Sequence, residues 1–367
     1  MWSSLDERIE RYTDGGKPSL NPEYTLSEMR QLVGALLLFY GVPILLMATS
    51  PNLVQYFGEF SSFFIHGFLY REAIMPSMVG VFFDGLILYI AWFLAAPTRS
   101  LTKDRLLVMY HHVIYTLAAR ALPTFTAADL VTWRLYLLKL FFVPLMISFW
   151  FSVTSELLTQ SEILGSILGS GDSPVFILVL FGVSLLFFVD VSFFVFGYLT
   201  ESTRLNNIVV SVDPTLSGWL ICCICYPPFN ILTAGILGGL HEVGAVFGPA
   251  WLWVVLSMVG LILLTVYALA SVNLYGKASN LTYRGLVTTG TYGIVRHPAY
   301  TTKVGSWVLI TSPFIVTNPW LIATVIGWTT IYILRALTEE RHIKMVARAE
   351  YEAYEQQVPW RFVPYVV

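Results

Sequence analysis

The sequence predicts an all-α, polytopic membrane protein, and two observations carry that prediction. Of 367 residues, 56% are hydrophobic and only 12% are charged, against roughly 25% charged in an ordinary soluble domain. Several apolar runs also reach the roughly 20 residues that a helix needs to cross a hydrocarbon core. The runs are continuous rather than alternating, which argues against a barrel. A net charge of −2 gives no basis for nucleic-acid binding.

The elements follow in chain order. Residues 1–30 are polar and of mixed charge, without the basic start and short apolar core of a cleavable signal, and read as a cytoplasmic tail. Spans are expected near 31–50, 74–97, 135–157, 174–199, 217–240 and 249–275. A closing pair is expected near 304–317 and 319–337. The aromatic stretch 52–70 reads as a further span or an interfacial segment. "RLLVMYHHVIYTLAARAL" (105–122) has apolar residues at helical spacing but also charges and two histidines, so it fits an interfacial or partly buried amphipathic helix. The total is about eight spans, within roughly six to ten. Residues 31–250 form an N-terminal transmembrane region, a possible substrate chamber, and 251–367 a separate cofactor-binding transmembrane region.

The first helix of the closing pair is short for a full crossing, and Pro319 is placed to open the second. The pair therefore reads as a helical hairpin. Lys277, Arg284, Arg296 and Lys303 flank it on one side, and Arg335, Arg341, Lys344, Arg348 and Arg361 follow it. The positive-inside rule puts both segments in the cytoplasm, where they meet. After residue 337 an amphipathic, charge-rich helix is expected. Tyr351, Tyr354, Trp360, Phe362 and Tyr365 on this tail want a surface to bury against.

Chemistry gathers at "YGIVRHPAYTTK" (292–303). Arg296 is a permanent cation with a planar fork of donors. His297 donates or accepts near neutral pH. Pro298 fits the first position of a helix whose free N–H groups would point at a ligand. Across the hairpin, Glu339 and Glu340 leave the last span at the same face. A cation, an imidazole, two carboxylates and tyrosines, among them Tyr292 and Tyr300, suit a polar cofactor with an aromatic base. Carboxylates bind ribose hydroxyls or an amino group, and tyrosine packs on an adenine.

Gly290, Tyr292, Arg296, His297, Pro298 and Tyr300, followed by Glu339, Glu340, Tyr351, Tyr354, Arg361 and Pro364, resemble the C-terminal half of the isoprenylcysteine carboxyl methyltransferase and phospholipid methyltransferase superfamily. The resemblance covers roughly 260–367. It implies S-adenosylmethionine bound at a cytoplasmic pocket, with methyl transfer to a lipid-borne or small hydrophobic acceptor. On that reading Arg296 and His297 are the catalytic pair, and Tyr292, His297, Pro298, Tyr300, Glu339 and Glu340 bind the cofactor. The protein would sit in a bacterial inner membrane or a eukaryotic endomembrane, with membrane lipids as partners.

The same half also resembles the membrane sterol reductases, through the Arg-His-x-x-Tyr motif and the "VPWRFVPYVV" ending, which implies NADPH instead. A non-enzymatic module retaining the fold is the third reading. Thr338 and Ala299 depart from the reductase pattern, and Thr302 and Lys303 from the methyltransferase pattern.

Acceptor-binding candidates lie elsewhere. Asp84 and Asp190 are acids within apolar runs, which face either a cavity or a partner helix. Tyr226 and Asn230 flank the double proline of "CYPPFN", where a broken helix can line a cavity. Arg335 stands one turn before the acidic pair. The polar connections 69–77 and 200–219 are loops, at a substrate mouth or simply solvated. Cys222, Cys223 and Cys225 are too close together for a structural zinc site and read as helix packing. No metal site is expected, because nothing fixes the mutual geometry of His111, His112, His241 and Glu242.

Overall fold

The computed structural model describes residues 24–42, 101–170, 174–202, 204–226, 229–230, 249–315 and 318–366. Asp84, the stretch 52–70 read as a further span or an interfacial segment, the expected span near 74–97, the Pro227–Pro228 break and the His241–Glu242 pair lie outside the described residues. The chain divides into two compact units, residues 1–155 with 198–208, and residues 156–197 with 209–367.

The described elements are helices joined by one small strand pair. In order they are α1 (Leu26–Leu36), α2 (Leu101–Ala119), α3 (Ala127–Ser170), α4 (Val175–Leu199), β1 (Ser211–Val212), α5 (Leu216–Cys223), α6 (Ala250–Leu274), β2 (Thr282–Tyr283), α7 (Pro298–Thr311), α8 (Trp320–Val346) and α9 (Arg348–Gln357). Four stretches are long and apolar enough to cross a membrane: Ala127–Ser170, Val175–Leu199, Trp251–Lys277 and Trp320–Val346. The protein is therefore an all-α integral membrane protein.

In the first unit, Thr25 opens α1 with a capping box. Its hydroxyl accepts from Glu28 N, and Glu28 Oε2 accepts from Thr25 N at 2.8 Å. Leu32, Leu36 and Phe39 pack against Leu106, Leu107 and Met109 of α2. The first turn of α2 is buried with its charges, and Arg105 reaches Glu201 at 3.3 Å. Its far end is exposed, so burial changes along the length of α2 rather than between two faces.

Two expected boundaries move. The span near 135–157 is the middle of a single 44-residue helix, α3. The nine residues of "TSELLTQSE" continue the helix where hydropathy alone ends it. The last span runs on likewise. α8 continues through "TEERHIKMV" to Val346 and breaks only at Ala347, at φ −139° and ψ 56°. Glu339 and Glu340 thus stand on a rigid helix rather than past its end.

In the second unit, α6 packs along α7, and α7 turns through Ser312–Phe314 toward α8. Pro298 takes the first position of α7, as its fixed φ favours, and Pro319 caps α8. β1 and β2 pair antiparallel, Ser211 with Tyr283 and Val212 with Thr282. Gly197 lets α4 approach the loop at 278 closely: a Cβ there would stand 2.0 Å from the Ala278 carbonyl oxygen.

Candidate functional site

The motif at 296–298 is held from behind by the C-terminal tail. Arg296 N donates to Trp360 O at 3.0 Å, and His297 N to Arg361 O at 2.9 Å. Thr301 Oγ1 donates to Phe362 O at 3.0 Å. The tail thereby supplies acceptors to the Arg296 and His297 amides at the entry to α7, which no intrahelical carbonyl can reach, and shares Thr301 Oγ1 with His297 O.

Glu340 joins the motif to the tail. Arg361 forks onto it, Nε to Oε1 and Nη2 to Oε2, both at 2.9 Å. His297 Nε2 lies 3.2 Å from Oε1, and Arg296 Nε 3.7 Å away. Arg296 also pairs with Glu355, which Lys344 meets at 2.8 Å. The side chain of Glu340 is only 5% exposed, so its charge is held by three neighbours rather than by water.

Glu339 is placed differently. Its side chain is 35% exposed and borders a pocket. It accepts from Tyr300 OH and lies 3.8 Å from Arg335 Nη2 and 4.0 Å from His297 Nδ1. The rings of His297 and Tyr300 lie parallel, with centroids 5.7 Å apart. Arg335 donates to Asn280 Oδ1 at 2.8 Å. Its guanidinium lies over the rings of Tyr300, Tyr226 and Tyr332.

The pocket's outer wall comes from the 282–287 loop, Tyr292 and the tail residues Tyr351 and Tyr354. Tyr354 OH donates to Tyr292 O at 2.7 Å. Burial, opposed by Arg296 and helped by Glu340, pushes the Tyr354 phenol up to about 12, so it stays a donor at neutral pH. Tyr283 OH donates to Glu350 Oε2 at 3.0 Å, and burial together with that carboxylate pushes it up to about 12 as well.

The residues singled out in the sequence sort as follows. Tyr292, Arg296, His297, Tyr300, Glu339, Tyr226 and Arg335 all line one pocket. Pro298 and Glu340 stand behind its wall and shape it. Asn230 makes a helical backbone bond to Tyr226 O and does not line the pocket. Asp190 lies beneath the floor, accepting from Tyr267 and Ser271, which line it. Sequence reasoning missed Tyr267, Ser271, Asn280 and the placement of Lys303. The available signal was the i, i+4 spacing of Tyr267 and Ser271 on an otherwise apolar helix. Among the described residues no three His, Cys, Asp or Glu side chains form a metal-binding group.

No protein-family model and no curated protein matches the chain.

Proposed function

We propose that the protein is an integral membrane methyltransferase using S-adenosylmethionine on a lipid-borne or small hydrophobic acceptor. One observation carries the reading. Two short motifs 43 residues apart, at His297 and Glu340, converge to 3.2 Å and present Glu339, Arg296 and a set of tyrosine rings to one pocket. The proposal includes about eight spans and a pocket opening to the cytoplasm, supported by the basic residues around 277–303 and 335–361.

The donor set fits that cofactor. Glu339, half open to the pocket, is an acceptor for ribose hydroxyls or an amino group. Arg296 lines the pocket while its guanidinium is held by Glu340 and Glu355, a fixed positive charge beside a cofactor carboxylate. Tyr292, Tyr351 and Tyr354 offer ring faces for an adenine. The cofactor, when bound, supplies an electrophilic methyl group. The chain's own residues orient the two reactants and exclude water, and no protein nucleophile is needed. Glu340 keeps His297 and Arg296 aimed, while its own oxygens are taken by them and by Arg361.

A second reading has its own support. Lys277 and Arg284 lie at the loop edge of the pocket and would suit a phosphate-bearing cofactor such as NADPH. Calorimetry on the purified protein with S-adenosylmethionine, S-adenosylhomocysteine and NADPH separates the readings. Binding of the first two, weakened about tenfold or more by Glu339→Gln, supports the methyltransferase. NADPH binding alone overturns it in favour of a reductase. Binding of none of the three leaves the non-enzymatic module.

A further inference from the structure

The floor of the pocket holds a second constellation, in which α4 and α6 join the α7 and α8 that carry the cofactor motifs. Lys303 of α7 extends its ammonium among four rings: Tyr267 at 4.9 Å, Trp307 at 5.4 Å, Phe187 at 5.6 Å and Tyr332 at 5.8 Å to the centroids. Of its three donors, one makes a hydrogen bond among the described residues, a long one of 3.4 Å to Tyr267 Oη. Tyr267 in turn donates to Asp190 Oδ2 at 2.5 Å, and Ser271 donates to Asp190 Oδ1. Asp190 is 4% exposed, and the Tyr267 hydroxyl bridges it to Lys303.

The charges balance here, because Arg335, the other cation over Tyr332, has Glu339 at 3.8 Å. One carboxylate offsets one ammonium inside a wall of aromatic rings. A ligand bringing a second buried anion would face Asp190 with its charge uncompensated. A ligand bringing a cation would meet Lys303 in the same position. A neutral oxygen meets neither penalty, and Lys303 has donors to spare for it. The rings around the ammonium add flat apolar surface on several sides.

We infer that this floor binds the acceptor as a neutral hydroxyl carried on a flat ring, a phenol or enol, the hydroxyl accepting from Lys303 Nζ and donating to Tyr267 Oη. The inference rests on the methyltransferase reading for the word acceptor, and on the floor alone for the selectivity. Asp190 acts through Tyr267 and Lys303 and is a positioning residue. It sets which charge the floor admits.

The test uses the full chain in lipid nanodiscs, with empty nanodiscs subtracted, and three probes of one shape: 4-butylphenol, butylbenzene and 4-butylbenzoate. Calorimetry should give 4-butylphenol an advantage of about tenfold over the other two. Lys303→Met should erase the advantage over butylbenzene and leave butylbenzene binding as it was. Asp190→Asn should turn the preference toward 4-butylbenzoate by about tenfold, because Lys303 is then without its counter-charge. If Asp190→Asn does not fold, Tyr267→Phe should still lower the phenol advantage severalfold. Tighter binding of 4-butylbenzoate than 4-butylphenol to the unmodified protein overturns the inference, and so does an Asp190→Asn variant whose preference does not move. S-Adenosylhomocysteine titrated into the same nanodiscs separates the two claims. Its failure to bind beside an intact phenol preference sinks the methyltransferase and leaves the floor's selectivity standing. Its binding without that preference sinks the floor's selectivity alone.

Discussion

Two adjacent carboxylates in this protein have opposite duties. Glu340 is enclosed by Arg361, His297 and Arg296, whereas Glu339 meets the pocket. Removing one partner of a buried ion pair costs about 3–5 kcal/mol, because the remaining charges are left uncompensated. Glu340→Ala is therefore expected to destabilise the protein by about that amount, read as a fall in thermal midpoint. Glu339→Gln keeps the Tyr300 contact and should leave the midpoint within a degree or two, roughly 0.5 kcal/mol, while weakening cofactor binding. A Glu339 variant that unfolds, or a Glu340 variant as stable as its parent, would reverse the assignment. Tyr354 gives a pH signature. Its phenol titrates at about 10 in the unfolded chain and is pushed up to about 12 in the fold. A raised folded value means stability that is full below pH 10 and is lost as pH rises toward 12. Tyr354→Phe should be less stable than wild type at pH 8 by about 1 kcal/mol, and the gap should close between pH 10 and 12, measured as paired unfolding midpoints.

The C-terminal tail is an element of the site rather than an appendage. Its carbonyls at Trp360, Arg361 and Phe362 accept from Arg296 N, His297 N and Thr301 Oγ1. Each such bond is worth about 1 kcal/mol net, and a buried donor left without one costs more. A chain ending at Gln357 should therefore lose the motif's geometry while keeping its spans. Hydrogen exchange at the Arg296 and His297 amides should quicken by an order of magnitude or more, and helicity should fall by little. Unchanged protection there would mean that α7 holds the motif by itself. Gly290 opens the turn that leads into the motif. It sits at φ +64°, and a Cβ would lie 2.4 Å from Asn273 Nδ2, so Gly290→Ala meets both backbone strain and a clash. Much of this element was legible in the sequence, because His-Pro at a helix start and a tyrosine-bearing amphipathic tail are local signals. The bond from Arg361 to Glu340 was not legible. It joins residues through a turn and a helix whose mutual angle no local pattern encodes. The floor was hidden for the same reason: Asp190, Tyr267 and Lys303 come from three helices, and only packing puts them together. Asp190 stood out as an acid in an apolar run, but its partners did not.

The arrangement of cations around the second unit makes a claim about the membrane. Lys277, Arg284 and Arg296 lie before α7, and Arg341, Lys344, Arg348 and Arg361 on the last turns of α8 and the tail. In contrast, the described stretch between α7 and α8 carries no Lys or Arg. Such an asymmetry orients a helical hairpin with its basic ends in the cytoplasm. Under that orientation the pocket would open to cytosol, where the proposed cofactor is dissolved, and Lys303 and Asp190 would lie among the spans, where the proposed lipophilic acceptor travels. The prediction is that α9 faces the cytosol. Among the described residues Glu352 on α9 pairs with Arg348 alone, and its side chain is 49% exposed, so Glu352→Cys is a tolerable reporter. It is placed in a chain whose Cys222, Cys223 and Cys225 are changed to alanine. A membrane-impermeant maleimide should label inside-out vesicles and spare sealed right-side-out ones until detergent opens them. Labelling from the outer face instead would invert the hairpin. It would put the pocket where no cytosolic cofactor reaches it, and the methyltransferase reading would fall with the topology.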